Sequence, residues 1–209
     1  MQYDVVNSKG EKVRSIELKD IVFNADVNED LIYRAVTSEQ ANRRPGTSFF
    51  KNRALVNLTT KKMYKQKGTG NARHGAASAP IFVGGGATFG AQRHNYKKGL
   101  PRKMKSAALR CLLSLKAKTG KLRVLDRFDV AEGKTREMLA SLGTVRSAGR
   151  NCLLIIDRKE MTLVKRAAGN IARLALTDFR QLSADALFVS AEVVADAATI
   201  EKINAMKWE

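Results

Sequence analysis

The segment from Lys61 to Gly75 concentrates residue types that bind nucleic acids. Five Lys or Arg residues fall within its first 13 positions, Tyr64 lies among them, and glycines follow. Cationic side chains neutralise phosphates, and an aromatic ring can stack on an unpaired base. Glycine lets the backbone approach a sugar-phosphate chain closely and donate N–H groups to it. The combination predicts an RNA-binding segment.

The surrounding block extends this chemistry, because Gln40 to Leu125 contains no Asp and no Glu. These 86 residues carry 20 Lys or Arg, whereas the other 123 residues hold 18 Lys or Arg and all 20 acidic residues. The net charge of +18 therefore lies in one internal block. Such confinement indicates a defined polyanion-binding element attached to an ordinary domain. With a sequence pI of 10.2, the first candidate partner is nucleic acid.

Motifs for nucleotides, metals and catalysis are absent from the sequence. The run Gly68-Thr69-Gly70 lacks the third glycine of a dinucleotide fingerprint, since Arg73 occupies its position, and no P-loop is present. His74 and His94 have no acid or cysteine near them in sequence, so we expect no metal and no cofactor. An enzyme acting on a polyanion stays an alternative, with Asp126 and Asp157 as its catalytic groups after strands.

Hydrophobic periodicity predicts strands alternating with helices on either side of the central block. The expected strands are Tyr3–Val6, Lys12–Leu18, Leu122–Leu125, Cys152–Ile156, Leu174–Leu176 and Ala186–Val189. The expected helices run from Asn28 to Asn42, Pro101 to Thr119, Thr135 to Leu142, Thr162 to Ala172 and Ala197 to Met206. This order predicts an α/β fold with a mostly parallel sheet flanked by helices in three Rossmann-like layers.

Residues 43–99 follow no period of 2 or 3.6 and are poor in large apolar side chains. So long a segment without secondary structure is uncommon in a compact domain unless it is disordered or functional. We expect it to be disordered alone and ordered by a partner, because it buries too little to offset its ordering entropy. The predicted organisation is one globular domain, residues 1–42 and 100–209, carrying an extended loop, residues 43–99.

The sequence favours neither a membrane partner nor a secreted or organellar location. Cys111 and Cys152 lie far apart, which suits free buried thiols in a reducing compartment. The uncharged run Gly75 to Gln92 is too weakly apolar to span a bilayer, and the N-terminus resembles neither a signal nor a transit peptide. We therefore expect no membrane partner, a cytoplasmic rather than organellar location, and no homo-oligomer.

Three segments in order resemble the ribosomal protein L4 family of the large subunit. They are Lys65 to Gly75 with its Gln-Lys-Gly-Thr-Gly core, Ala79 to Gly90 with its triple glycine, and Leu100 to Arg110. Asn71 and Val83 stand where members usually carry basic residues, and Phe82 where they carry tryptophan. These departures imply a divergent bacterial member.

The resemblance implies a non-enzymatic structural component whose loop crosses ribosomal RNA and lines the nascent-peptide exit tunnel. The implied partners are large-subunit ribosomal RNA, ribosomal protein L22 and the nascent peptide, and the implied role includes subunit assembly. The implied loop tip comprises Lys62, Met63, Tyr64, Lys65, Gln66, Lys67 and Gly68. The candidate RNA-binding residues are Arg43, Arg44, Lys51, Arg53, Lys61, Lys62, Tyr64, Lys65, Lys67, Arg73, His74, Arg93, His94, Lys97, Lys98, Arg102, Lys103, Lys105 and Arg110.

The helix predicted from Pro101 contributes the last four of these candidates. Its face opposite the apolar stripe carries basic residues from Arg102 to Lys118, Lys116 included, and is expected to pack against RNA. An RNA-binding regulator acting off the ribosome stays open as an alternative function, because the same chemistry would serve a messenger RNA.

Overall fold

A computed structural model describes residues 1–128, 130, 132–143, 145–147, 149–158, 161–206 and 208. The chain divides into two compact units. The first comprises Met1–Ala41 and Lys98–Glu209, and the second comprises Asn42–Lys97. Helices and strands lie almost entirely in the first unit, which we call the α/β unit; the second we call the basic unit.

A six-stranded mixed sheet forms the centre of the α/β unit. Its strands are β1 (Gln2–Val6), β2 (Lys12–Glu17), β3 (Leu122–Leu125), β4 (Cys152–Ile156), β5 (Leu174–Asp178) and β6 (Glu192–Asp196). They lie in the order β2-β1-β3-β6-β4-β5. Only β1 and β2 pair antiparallel, through a hairpin that turns at residues 7–10; the other pairs are parallel. The prediction of a mostly parallel sheet is confirmed.

Seven α-helices are described. They are α1 (Asp20–Phe23), α2 (Glu29–Arg43), α3 (Arg102–Lys118), α4 (Thr135–Leu142), α5 (Met161–Ala168), α6 (Ala184–Val189) and α7 (Ala197–Ala205), with a 3₁₀ turn at Phe179–Gln181. Five of them were predicted as helices, α6 was predicted as a strand, and the shortest, α1, was not predicted. Helix α5 ends four residues before the predicted Ala172, just ahead of Gly169. Pro101 precedes α3 as its N-cap instead of occupying its first turn.

Helices cover both faces of the sheet, as the alternation along β4 shows. Leu153 and Ile155 point into one apolar cluster, which includes residues of α3, α6 and α7. Cys152, Leu154 and Ile156 point into a second cluster, which includes residues of α4 and α5. Every residue of β4 is buried, as its continuously apolar sequence predicted. The three-layer α/β class is therefore confirmed.

The predicted strand Ala186–Val189 is wrong, because these residues belong to α6. Ser183 caps the helix by accepting a hydrogen bond from the Ala186 N–H at 3.1 Å. The Glu39 carboxylate, from α2, accepts hydrogen bonds from the N–H groups of Ala184 and Asp185 at 3.1 and 2.9 Å. A carboxylate at a helix N-terminus satisfies unpaired donors and interacts favourably with the dipole. The strand lies instead at Glu192–Asp196. It was not predicted because its apolar run is short and has an acidic residue on each side.

Both cysteines are free and buried, in agreement with the sequence-based prediction. Cys111 lies in α3 and Cys152 opens β4, with 5% and 1% of their surfaces exposed. Burial raises the pKa of the Cys152 thiol to about 11. Because the thiolate is the reactive form, this shift disfavours reaction of Cys152 at neutral pH.

Among the described residues, no helix combines the length and the apolar character needed to cross a membrane.

Candidate nucleic-acid interface

Two antiparallel arms build the basic unit. The Phe50 N–H donates to the Ala91 carbonyl, and the Ala87 N–H donates to the Lys51 carbonyl, both at 2.9 Å. Further along the arms, the His94 N–H donates to the Gly46 carbonyl at 3.4 Å. Backbone hydrogen bonds therefore hold residues 46–53 against residues 87–94, although no regular strand forms there.

An isolated antiparallel bridge between Lys62 and Ala76 closes a separate turn. The Met63 N–H donates to the Gly75 carbonyl at 3.0 Å beside this bridge. Inside the turn, the Tyr64 hydroxyl donates to the Ala72 carbonyl. The structure thus places Lys62 at the base of the turn and encloses the other six residues predicted as the loop tip, Met63, Tyr64, Lys65, Gln66, Lys67 and Gly68, within it.

Glycines serve two different purposes in this unit. A Cβ at Gly86 would lie 2.2 Å from the Arg53 backbone nitrogen, and one at Gly46 would lie 2.0 Å from the His94 carbonyl oxygen. Real Cβ contacts are never so short, so these positions need glycine for the arms to meet. By contrast, Gly68, Gly70 and Gly75 have nothing within 4 Å of a built Cβ. The open space beside them is consistent with the close backbone approach predicted from the sequence.

Nearly all predicted RNA-binding residues present their side chains to solvent. Sixteen of the 19 candidates are exposed, whereas Tyr64, His74 and Arg110 are half-buried. The exposed ones are Arg43, Arg44, Lys51, Arg53, Lys61, Lys62, Lys65, Lys67, Arg73, Arg93, His94, Lys97, Lys98, Arg102, Lys103 and Lys105. The basic unit itself contains 11 Lys or Arg and no acidic residue, so its surface potential is strongly positive.

Two arginine side chains lie over aromatic rings along the arms. The Arg44 guanidinium lies 3.9 Å from the Tyr96 ring centroid, and the His94 and Tyr96 rings form a T-shaped pair with centroids 4.6 Å apart. The Arg93 guanidinium lies 5.5 Å from the Phe49 ring centroid. Ring contacts of this kind hold the arginine side chains in place while leaving their outer N–H groups for other acceptors.

The two half-buried aromatic candidates contribute to the fold of the unit. The His74 ring meets Phe82 edge-on at 4.9 Å, and the hydroxyl of Tyr64 is engaged within the turn. Sequence reasoning missed other aromatic and apolar side chains that are far more exposed, Phe89 and Val83 above all. Their signal was the presence of large apolar residues in a segment without periodicity.

The basic face predicted along α3 is interrupted at Lys116, which is a correction to the prediction. Arg102, Lys103 and Lys105 in the first turns are exposed, but Lys116 is buried and donates to the Ser190 carbonyl. Burial lowers the pKa of Lys116, and the charge of Lys121 adds to this shift. The C-terminal half of α3 packs against α1 and α6, which removes Lys116 from any RNA-facing surface.

The aspartates considered for catalysis are held in ion pairs. Asp126 follows β3 and pairs with Arg14 at 3.0 Å, and Asp157 follows β4 and pairs with Lys202 at 2.6 Å. In the part of the chain that the structure describes, no group of three or more His, Cys, Asp or Glu residues is arranged to hold a metal ion. These contacts join neighbouring elements of the α/β unit.

Comparisons of the sequence with known proteins give matches over most of the chain. Residues 16–206 match the model of the ribosomal protein L4/L1 family. The large ribosomal subunit protein uL4 of Treponema denticola is 39% identical over 93% of the chain and 91% of its own length. The uL4 proteins of Treponema pallidum strain Nichols and Borrelia duttonii are 38% and 37% identical over 97% and 98% of the chain and over 93% and 98% of their own lengths.

Proposed function

The chain belongs to the ribosomal protein L4/L1 family, and from this membership we propose that it is a structural, non-enzymatic constituent of the large ribosomal subunit. Its location is then the ribosome, in the cytoplasm of a bacterial cell. The observation that carries the proposal is the basic unit, in which paired arms present 11 cationic side chains and no acid. A ribosomal constituent needs such a surface to neutralise RNA phosphates.

The division of labour between the two units follows from their surfaces. The α/β unit has two apolar cores and a stable sheet, so it is the part that can fold without a partner. The basic unit has few buried apolar side chains and presents its cations outward, so it gains most from RNA. We propose that residues 43–99 are the extended ribosomal RNA-binding loop and that their contacts support assembly of the subunit.

The finer partners come from the family resemblance and are part of the same proposal. The turn closed by Lys62 and Ala76 is the segment that would line the peptide exit tunnel, beside ribosomal protein L22 and the nascent peptide. Its exposed Lys65 and Lys67 would contact RNA phosphates there. Arg102, Lys103 and Lys105 would add phosphate contacts from the first turns of α3.

Sedimentation of cell lysates in high salt tests this function. The matched variant replaces residues 47–93 with two glycines, which is feasible because the Gly46 and His94 backbones are already hydrogen-bonded. We expect the full chain to remain with the large subunit and the shortened chain to be partly released. A full chain that washes off to the top of the gradient would contradict a ribosomal role and would favour a regulator that binds RNA off the ribosome.

A further inference from the structure

Two side chains of the basic unit are more exposed than apolar residues of their size normally are. Phe89 and Val83 have relative exposures of 99% and 108%, and Ile81 and Phe50 are exposed by 71% and 57%. Large apolar groups left open in one region of a protein mark a binding surface. The phosphate-binding role of the cations does not account for this exposure, so Phe89 is available to a further part of a ligand.

The backbone that carries Phe89 is fixed on both sides. Ala87, two residues before it, is hydrogen-bonded to Lys51, and Ala91, two residues after it, is hydrogen-bonded to Phe50. A Cβ at Gly90 would lie 2.5 Å from the Phe50 Cβ, so Phe50 packs directly against the residue that follows Phe89. The ring of Phe89 is therefore presented from a constrained position between two hydrogen bonds, which lowers the entropic cost of binding.

Charge decides which ligand suits this position. Lys51 and Arg53 are exposed on the facing arm, and the whole unit lacks an acidic residue. An apolar protein surface would cover Phe89 but leave these cations without acceptors. An unpaired RNA base presents a flat π face to the ring, while the phosphates beside it accept from Lys and Arg.

We propose that Phe89, with Phe50 beside Gly90, is a stacking platform for an unpaired base of RNA whose neighbouring phosphates are bound by Lys51 and Arg53. The inference rests on the proposed function and adds the class of nucleotide that this part of the arms contacts. It assigns base contact to the arm between Gly86 and Gly90. This segment precedes Arg93 and His94, which were predicted from the sequence to bind RNA.

A tryptophan at position 89 can report stacking directly. In a chain carrying Trp208→Phe, the variant Phe89→Trp places the sole tryptophan of the protein on the proposed platform. We expect its fluorescence to be quenched when a large-subunit RNA fragment with unpaired loops binds, and to change little with a fully duplex RNA. A blue shift without quenching in the assembled subunit would mean that protein or peptide covers the ring, and would overturn the inference.

Affinity measurements provide the second test. Phe89→Ala is expected to weaken binding of the same fragment by about 5- to 150-fold, the range for loss of one base–aromatic stack, without changing the salt dependence. The control Tyr33→Ala removes an exposed ring from α2 and should leave affinity unchanged. If Phe89→Ala binds within about twofold of the unmodified chain, the inference is wrong while the proposed function stands. Failure of the unmodified chain to bind would overturn both.

Discussion

Raising the salt concentration from about 50 to 200 mM is expected to weaken binding of the chain to large-subunit ribosomal RNA by roughly 10³–10⁵-fold. The reason is that each phosphate neutralised by a Lys or Arg releases condensed counterions, and about six to ten such contacts produce a loss of this size. The basic unit presents 11 cations without a competing carboxylate, so it can supply contacts in that number. Filter binding or fluorescence anisotropy at several salt concentrations measures the slope.

Substitutions in the turn identify which cations contribute to that slope. Lys65→Gln and Lys67→Gln should each reduce the slope of log affinity against log salt by about one, since each removes about one phosphate contact. Arg34→Gln is the matched control, because Arg34 is an exposed cation of α2 that pairs with Asp30. An affinity independent of salt, or an equal change in the control, would contradict an electrostatic role for the turn.

The substitution Gly86→Ala is expected to reduce RNA affinity by about tenfold or more, although it removes no charge and no predicted contact. The added Cβ would lie 2.2 Å from the Arg53 nitrogen and 2.5 Å from the Asn52 carbonyl carbon. Both are backbone atoms that cannot rotate away, so the two arms must separate. Overpacking of this kind costs typically about 1–3 kcal/mol, and about 1.4 kcal/mol corresponds to a factor of ten.

Gly99→Ala is the control for this prediction. Gly99 follows the paired arms, and nothing is within 4 Å of its built Cβ, so the added methyl group enters open space. Circular dichroism should show an unchanged α/β unit in both variants, since neither position belongs to its core. Equal RNA affinity of the two alanine variants would mean that the paired arms are not the binding conformation.

The α/β unit was largely predictable because its elements follow local patterns. The bounds of α4 and β4 agree with the predictions to the residue, since an amphipathic helix and a continuously apolar strand have clear signatures. The error at α6 arose from a contact distant in sequence, the Glu39 carboxylate on the first N–H groups of the helix. The four-residue helix α1 was missed because one turn carries too little periodicity to detect.

The candidate site was predictable in its chemistry and unpredictable in its geometry. The composition alone was enough to locate the cations, because a block of this length without an acidic residue is rare and can be recognised in the sequence. The pairing of the arms depends on residues more than 30 positions apart, such as Arg53 against Gly86, and no local pattern encodes it. For the same reason the sequence could not distinguish the buried Lys116 from the exposed Lys105, since both lie on the same side of the apolar stripe of α3.

Directed cleavage of RNA can show whether the basic unit contacts large-subunit ribosomal RNA. Gly75→Cys would carry a tethered iron chelate, whereas the native Cys111 and Cys152 are buried and should stay unmodified. Hydroxyl radicals generated at this position in reconstituted subunits are predicted to cleave large-subunit RNA at a few clustered sites. The control Thr162→Cys, on α5, should produce a different pattern or none. If the modified protein assembles but the iron chelate at residue 75 leaves large-subunit RNA uncut, the basic unit does not contact that RNA.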